Sequence, residues 1–587
     1  MSGPAHCSRK GAVSLRQPLS KNKNDSFLTK GQHLDRCWLL AYNSCVKNLN
    51  KTQLDYTAFG AAYQLRLPLD IEIIIPKNDS VRLLDAVISS LDLSCLFSTY
   101  ERIGRIQYPP SILLKVLVYA YSKHIYSSRD IETACRENIN FMFLLQNNPP
   151  PDHNTIARFR RDHLSFLSDE IQKKLTDLLI DLGEVSFSDS AVFIDGTKME
   201  ACANRYTFVW KKSILKNKEK LLKRISDEYP DLLKTIGINW KVPDPIRVID
   251  LKRLMGKISS KVEAEGIEFV SGKGKHKTQI QRVLETVDND HSKLKQYIRD
   301  IEICGDRNSY SKTDHDATFM RMKEDHMRNG QLKPGYNVNV ATVNEYIIGS
   351  YISSDRTDTK SFIPLTEKLL GNGYDVHRIM LDSGYESEEN YHYAQAHENI
   401  SLFVKPANYE QMKRKKYRSD ISRRENMAYD SESDTYTCAN GKKLYATSVE
   451  KKKSSTGYPT ETTIYECREC SGCPLKEKCI KSKSKEPLSE RSKRLNVSKY
   501  FQEQRSRMEE KINSEEGKLL RINRSIQSEG VFAYVKGDLL FRRFMMRGNR
   551  NVAVEWMLLS FAYNILKLHS KLEKGRLGEH LKKPKAV

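Results

Sequence analysis

The sequence predicts a mixed α/β sheet, preceded by an all-helical region and interrupted by inserted segments. Three observations carry the prediction. Val192-Phe193-Ile194-Asp195-Gly196-Thr197 and Ile379-Met380-Leu381-Asp382-Ser383-Gly384-Tyr385 are brief apolar runs that each end in one aspartate and then meet glycine. Apolar runs this short, bounded by turn residues, read as buried strands. Between them, residues 335–343 alternate at period two and residues 346–352 form a second apolar run, with Asn344-Glu345 joining the two as a hairpin.

The remaining elements follow in order. Residues 1–50 are polar and without pattern, and read as a disordered extension; Tyr63-Gln64-Leu65-Arg66-Leu67-Pro68 opens the ordered part. Residues 51–180 read as helical. Ile112 to Tyr121 is a buried helix, and Ser127 caps the next, with acids in its first turn. Pro149-Pro150-Pro151 breaks the chain before Asp152 caps a helix bearing Arg158, Arg160, Arg161 and His163. Two readings of this block stand side by side: a helix-turn-helix-like DNA-binding region, or a plain bundle with a solvated basic face. Residues 186–406 hold the sheet, with a Lys- and Glu-rich helical arm inserted at 211–305, a helix from Lys360 to Leu370, and a short strand at Leu402-Phe403-Val404-Lys405. Residues 407–515 are basic and cysteine-bearing, and 516–575 return to helix.

At 587 residues the chain exceeds a single hydrophobic core. A net charge of +23 and a pI near 9.3 point to a polyanionic partner, nucleic acid before membrane surface. No run approaches the ~18 apolar residues of a membrane span. The N-terminus shows no apolar stretch of a secretory signal, and the twelve cysteines follow no disulfide framework. Together these predict a cytoplasmic protein that does not engage a membrane.

A lone aspartate after a strand is also a common turn or capping residue. Two equivalent strand ends in a basic chain, with a third acid downstream, favour a shared divalent-metal site. Mg²⁺ takes carboxylate oxygens and water without His or Cys. Two acids compete for the third place. Glu555 begins a largely apolar helix, where the helix dipole accounts for an acid. Glu529 lies seven residues before Lys536, two turns along one helix, so both face the same way.

At this point the residues resemble a known group. Ile194-Asp195-Gly196-Thr197, Thr313-Asp314-His315-Asp316-Ala317, Gly335-Tyr336-Asn337-Val338, Asp382-Ser383-Gly384-Tyr385 and Ser528-Glu529-Gly530-Val531-Phe532 appear in that order. The set resembles the DDE transposases of prokaryotic insertion sequences, in the branch with a cysteine-rich insertion before the last acid, over roughly residues 55–575. Tyr108-Pro109-Pro110 and its helices resemble that branch's N-terminal domain. The resemblance implies a ribonuclease H-like core and two divalent cations, Mg²⁺ or Mn²⁺. It also implies cutting of double-stranded DNA at transposon ends and joining to target DNA, by a homodimer. Asp195, Asp382 and Glu529 become the expected catalytic, metal-binding acids. Glu-x6-Lys resembles the family's last motif, in which the lysine meets a DNA phosphate. That motif has arginine four residues before the glutamate; here Ser525 holds that place and Arg524 is adjacent. Lys536, Arg542, Arg543, Arg158 and Arg161 are the expected DNA contacts.

Cys467, Cys470, Cys473 and Cys479 are spaced C-x2-C-x2-C-x5-C, with Cys438 upstream. The spacing suits a structural zinc knuckle; the alternative is a reduced, metal-free thiol cluster. The surrounding lysines, Lys451 to Lys453 and Lys481 to Lys485, suit contact with DNA backbone. Two other functions compete with transposition: a metal-dependent DNA nuclease on the same core, and a sequence-specific DNA-binding protein without catalysis.

Overall fold

The computed structural model describes residues 74–100, 108–272, 274–322, 330–481, 484 and 486–579, all within one unit starting at Asp70. The expected N-terminal extension, the opening at Tyr63 to Pro68, and Lys483 and Lys485 lie outside the described residues.

Helices α1 (Ser80–Ser90), α2 (Pro110–Ser122), α3 (Ser128–Glu137), α4 (Ile139–Leu145), α5 (His153–Arg158) and α6 (Ser168–Asp181) form the helical region. Proline at the first position of α2 suits a helix start, because its missing N–H has no helical partner there. Two expectations change. Ser127 stands at the start of α3, but its side chain makes no capping bond. The helix begun by Asp152 ends at Arg158 and passes into a π turn, Phe159–His163. That turn carries Arg160 inward, where it donates to Tyr121 Oη (3.1 Å) and the Tyr126 carbonyl (3.1 Å).

The six-stranded sheet contains β1 (Val192–Glu200), β2 (Thr318–Arg321), β3 (Leu332–Val343), β4 (Tyr346–Ser353), β5 (Arg378–Leu381) and β6 (Ser401–Val404). β3 runs antiparallel to β1, with β4 and β2 on its other edge; β5 and β6 follow β1 in parallel. Asn344 and Glu345 both have positive φ (50° and 69°), as a tight two-residue hairpin turn requires. The helix expected from Lys360 is observed as α7 (Phe362–Gly371), between β4 and β5.

Side chains along a strand alternate between faces, and the packing follows that rule. Ile194, Leu381 and Val404 join the large core shared with α2 and the C-terminal helix Asn549–Glu573. Phe193, Met380 and Phe403 turn the other way and pack with Leu520, on the helix Glu515–Arg524. The 211–305 insertion is three helices, Lys211–Lys234, Val248–Ala264 and Gln279–Cys304, around a core of their own that includes Leu221, Ile225, Leu254, Val287 and Leu294. The cysteine-bearing insertion is a five-stranded antiparallel sheet, Ala428–Asp430, Thr435–Thr437, Lys443–Lys453, Pro459–Glu466 and Arg494–Val497.

Candidate active site

β1 and β5 pair in parallel, Ile194 beside Leu381, so the next residue on each is aspartate. Asp195 and Asp382 therefore stand side by side, Asp382 just past the end of β5 as expected. Asp195 is not the strand end the sequence suggested, because β1 continues through Gly196 to Glu200 on its pairing with β3. Period two places Asp195 on the Phe193 side and Asp382 on the Met380 side, the face covered by Leu520. Arg524 follows Leu520 by four residues and so shares its helix face. Its guanidinium meets all three expected acids: Asp195 Oδ2 at 3.5 Å, Asp382 Oδ1 at 3.9 Å and Glu529 Oε1 at 3.2 Å.

The chain reaches Glu529 through a π turn, Ser525–Glu529, and a second π turn spans Tyr534–Asp538. A regular α-helix from Glu529 to Lys536 is thus not what forms. A π turn repeats at i+5 rather than i+4, so Arg524, five residues before Glu529, takes the place that regular helical spacing gives to Ser525. Ser525 instead donates to the Ile522 carbonyl (2.9 Å). Gln527 holds the first π turn against the hairpin, accepting from Glu345 N at 2.5 Å. Lys536 Nζ donates to Thr197 Oγ1 (2.9 Å) and the Lys198 carbonyl (3.4 Å), which ties the last motif to the strand of the first.

Exposure grades across the acids. The side chain of Asp195 is 9% exposed and accepts from Gly196 N at 2.8 Å; Asp382 is 40% exposed and Glu529 59%. One side of the constellation is fixed in the sheet and the other opens to solvent, as a site for a large anionic substrate needs. Tyr385 is buried behind it and donates to Asn339 Oδ1 (2.6 Å); burial first, then the nearby charges of Asp358, Asp195 and Asp382, push its phenol well above the usual range. Asp358, Asn339 and Tyr385 carry no sequence signal of their role beyond Tyr385's place in the second aspartate string.

Residues 437–569 match the sequence model of a transposase DDE domain, and residues 69–162 match that of a transposase domain, DUF772. The first match spans Arg524, Glu529 and Lys536 and begins after Asp195 and Asp382. No curated protein and no solved structure matches the chain.

The two matches support a DDE transposase of an insertion sequence.

Elsewhere in the chain the expected residues have other surroundings. Glu555 does not begin its helix, which starts at Asn549 after the left-handed Gly548 (φ 84°). It is fully buried and accepts from Met545 N and Met546 N (2.9 Å each) and from Tyr121 Oη (3.1 Å); burial pushes its carboxyl above the ordinary value. Asp314 accepts from Tyr336 Oη (2.7 Å), and Asp316 from Asn549 N (2.9 Å), so the Asp-His-Asp string seats the start of that helix. Arg542, Arg543 and Arg158 are all exposed, and Arg543 also donates to the Ala201 (3.1 Å) and Ala203 (3.2 Å) carbonyls. Arg161 pairs with its own neighbour Asp162 (2.7 Å).

Cys438, Cys467, Cys470, Cys473 and Cys479 line one cavity of ≈ 20 Å³. Lys493 N donates to Cys470 Sγ (3.3 Å) and Asn440 Nδ2 to Cys473 Sγ (3.6 Å). Burial pushes the Cys467 thiol to about 11. Among the described residues, only Glu132, Asp152 and His153 bring three such ligand atoms within 4.8 Å of one another. That trio is explained by local structure: Asp152 caps α5 through Asn154 N, and Glu132 accepts from both His153 N (3.0 Å) and Nδ1 (2.7 Å). No helix among the described residues is long and apolar enough to cross a membrane.

Proposed function

We propose that this transposase cuts double-stranded DNA at the terminal inverted repeats of its element and joins the ends to target DNA, with Asp195, Asp382 and Glu529 as the catalytic acids. The observation that carries the reading is the convergence of all three carboxylates on the single guanidinium of Arg524. Acids from two strands and a π turn, far apart in sequence, surround one cation. The strand order, with an antiparallel hairpin beside three parallel strands, supports a ribonuclease H-like core.

An all-carboxylate donor set suits Mg²⁺ or Mn²⁺, and Asp195, Asp382 and Glu529 would hold two such ions. Such ions, when bound, supply Lewis-acid stabilisation of charge on the attacking and leaving oxygens. The protein's own part is positional. Asp195 is fixed by the strand pairing, and Lys536 stands on Thr197 within reach of a phosphate entering from the open side. In the first step a water oxygen bonds to phosphorus as the bond to the 3′ oxygen breaks, leaving a 3′-hydroxyl and a 5′-phosphate. In the second that hydroxyl attacks a target phosphodiester, whose own 3′ oxygen departs. No covalent bond to the protein forms.

Arg542 and Arg158, exposed, and the basic hairpin strand Lys443–Lys453 are proposed to meet DNA phosphates, in a homodimer. Cys467, Cys470, Cys473 and Cys479 are proposed to hold a structural zinc with Cys438 beside them, supported by the shared cavity and the N–H groups aimed at two sulfurs.

The test uses labelled transposon-end DNA and a target plasmid in Mg²⁺. Wild type yields cleaved and joined products; Asp195→Asn and Asp382→Asn yield neither, while a gel shift on the end DNA persists. Cleavage by Asp382→Asn at the wild-type rate refutes the site. Cleavage without any joined product assigns a nuclease instead.

A further inference from the structure

A fourth carboxylate backs the two aspartates. Asp358 lies between β4 and α7, and its two oxygens face the glycines that follow the two aspartates. A Cβ built on Gly196 would lie 2.6 Å from Asp358 Oδ1, and one built on Gly384 would lie 2.8 Å from Asp358 Oδ2. Neither glycine has a positive φ, so conformational freedom does not explain them; the closeness of this carboxylate does. Asn337 Nδ2 donates to Asp358 Oδ1 at 2.6 Å, and Asn337 itself pairs with Lys198 on β1. Asn390 fastens the same loop to the second aspartate's turn, donating to the Thr359 carbonyl (2.9 Å) and the Tyr385 carbonyl (2.7 Å). By strand alternation Gly196 faces away from Asp195's side, so Asp358 stands behind β1 rather than among the three acids.

We propose that Asp358 is a positioning residue: it buckles the Gly196 and Gly384 backbones together and so fixes the separation of the Asp195 and Asp382 carboxylates for divalent-cation binding. The inference rests on the metal-site reading above. Outer groups that orient ligands typically contribute about 10- to 100-fold in metal affinity. The two glycines are then part of the same device, since a side chain at either would expel the carboxylate.

The experiment measures Mn²⁺ binding to the full-length protein from the electron paramagnetic resonance signal of free Mn²⁺, with thermal unfolding in EDTA alongside. Asp358→Ala should weaken Mn²⁺ binding by about tenfold or more with the EDTA midpoint unchanged. Asp358→Asn keeps the side-chain shape, and carries the measurement if the alanine variant does not fold. Gly384→Ala should weaken Mn²⁺ binding alike in the wild-type background and add nothing in the Asp358→Ala background, where the atom it would strike is gone. Wild-type Mn²⁺ affinity in the Asp358 variants overturns the proposal, as does a lowered EDTA midpoint with unchanged affinity, which would assign Asp358 to folding alone. An additive effect of Gly384→Ala in the double variant overturns it too. Asp195→Asn separates the two levels. If it also binds Mn²⁺ like wild type, the metal-site reading fails; if it loses binding while the Asp358 variants do not, only the positioning role fails.

Discussion

Glu529 and Glu555 should separate chemistry from folding, and substituting both tests the assignment of each. Glu555 is fully buried and accepts three hydrogen bonds, two from backbone N–H groups and one from Tyr121. Glu555→Ala leaves those donors without an acceptor, at about 1–3 kcal/mol for each buried one. Met545 is 50% exposed, so water recovers part of one loss. Burial already strains the charged carboxyl, which offsets a further part. The net expectation is a destabilisation of about 2–4 kcal/mol. Glu529 is 59% exposed, with Arg524 as its ion-pair partner at 3.2 Å. Its removal should change stability by less than about 1 kcal/mol. Urea unfolding followed by tryptophan fluorescence reads this directly, because Trp556 is buried next to Glu555. End-DNA cleavage should rank the pair in reverse: Glu529→Gln loses cleavage by about a thousandfold or more, while Glu555→Gln retains it below its unfolding transition. A Glu555→Ala variant as stable as wild type, or a Glu529→Gln variant that cleaves normally, refutes the reasoning.

Arg524→Ala leaves three converging carboxylates without their shared cation, so the metal-free protein should lose about 1–3 kcal/mol; Mg²⁺ should restore most of it, and an equal loss with and without Mg²⁺ would contradict the shared cation position. Protein purified without chelator should contain zinc in stoichiometric amount by elemental analysis, and Cys470→Ser should release it; absence of zinc leaves a thiol cluster. Glu555's carboxyl is raised in the folded state, so the protonated form is the one folding favours. Its contribution is therefore fully present below the ordinary carboxylate value of 4.5 and declines as pH rises through the raised folded value. Glu555→Gln should remove that decline, so stability curves of wild type and variant that stay parallel from pH 4 to pH 7 would contradict it.

The core strands around Asp195 and Asp382 and the hairpin between them were legible because their signals are local. A short apolar run carries its burial within a few residues, and the alternation of residues 335–343 carries the strand period; the Asp195-Gly196 step was not a boundary, because pairing with β3 extends β1 to Glu200. The Glu529 neighbourhood was legible only in part. Sequence spacing assumes α-helical geometry, and by that count Ser525, not Arg524, faces the acid. The π turn adds one residue to the repeat, and it forms because Gln527 and the packing of Leu520 on Phe193, Met380 and Phe403 hold the chain on both sides. Glu555 reads as a helix-start acid from sequence because its partners, Tyr121 on α2 and the Met545 and Met546 amides on the preceding loop, lie outside its own helix. Asp358 left no signal at all. Its place is set by contacts to Asn337, Gly196 and Gly384, which the fold brings together from β3, β1 and the turn after β5. The sequence by itself determined the core strands that carry Asp195 and lead to Asp382 and the hairpin between them, since those depend on side-chain period and burial; the strand Thr318–Arg321 and the sheet within 407–515 it did not. Only the tertiary structure decided which cation the acids share and what stands behind them, because those depend on distances between residues hundreds of positions apart.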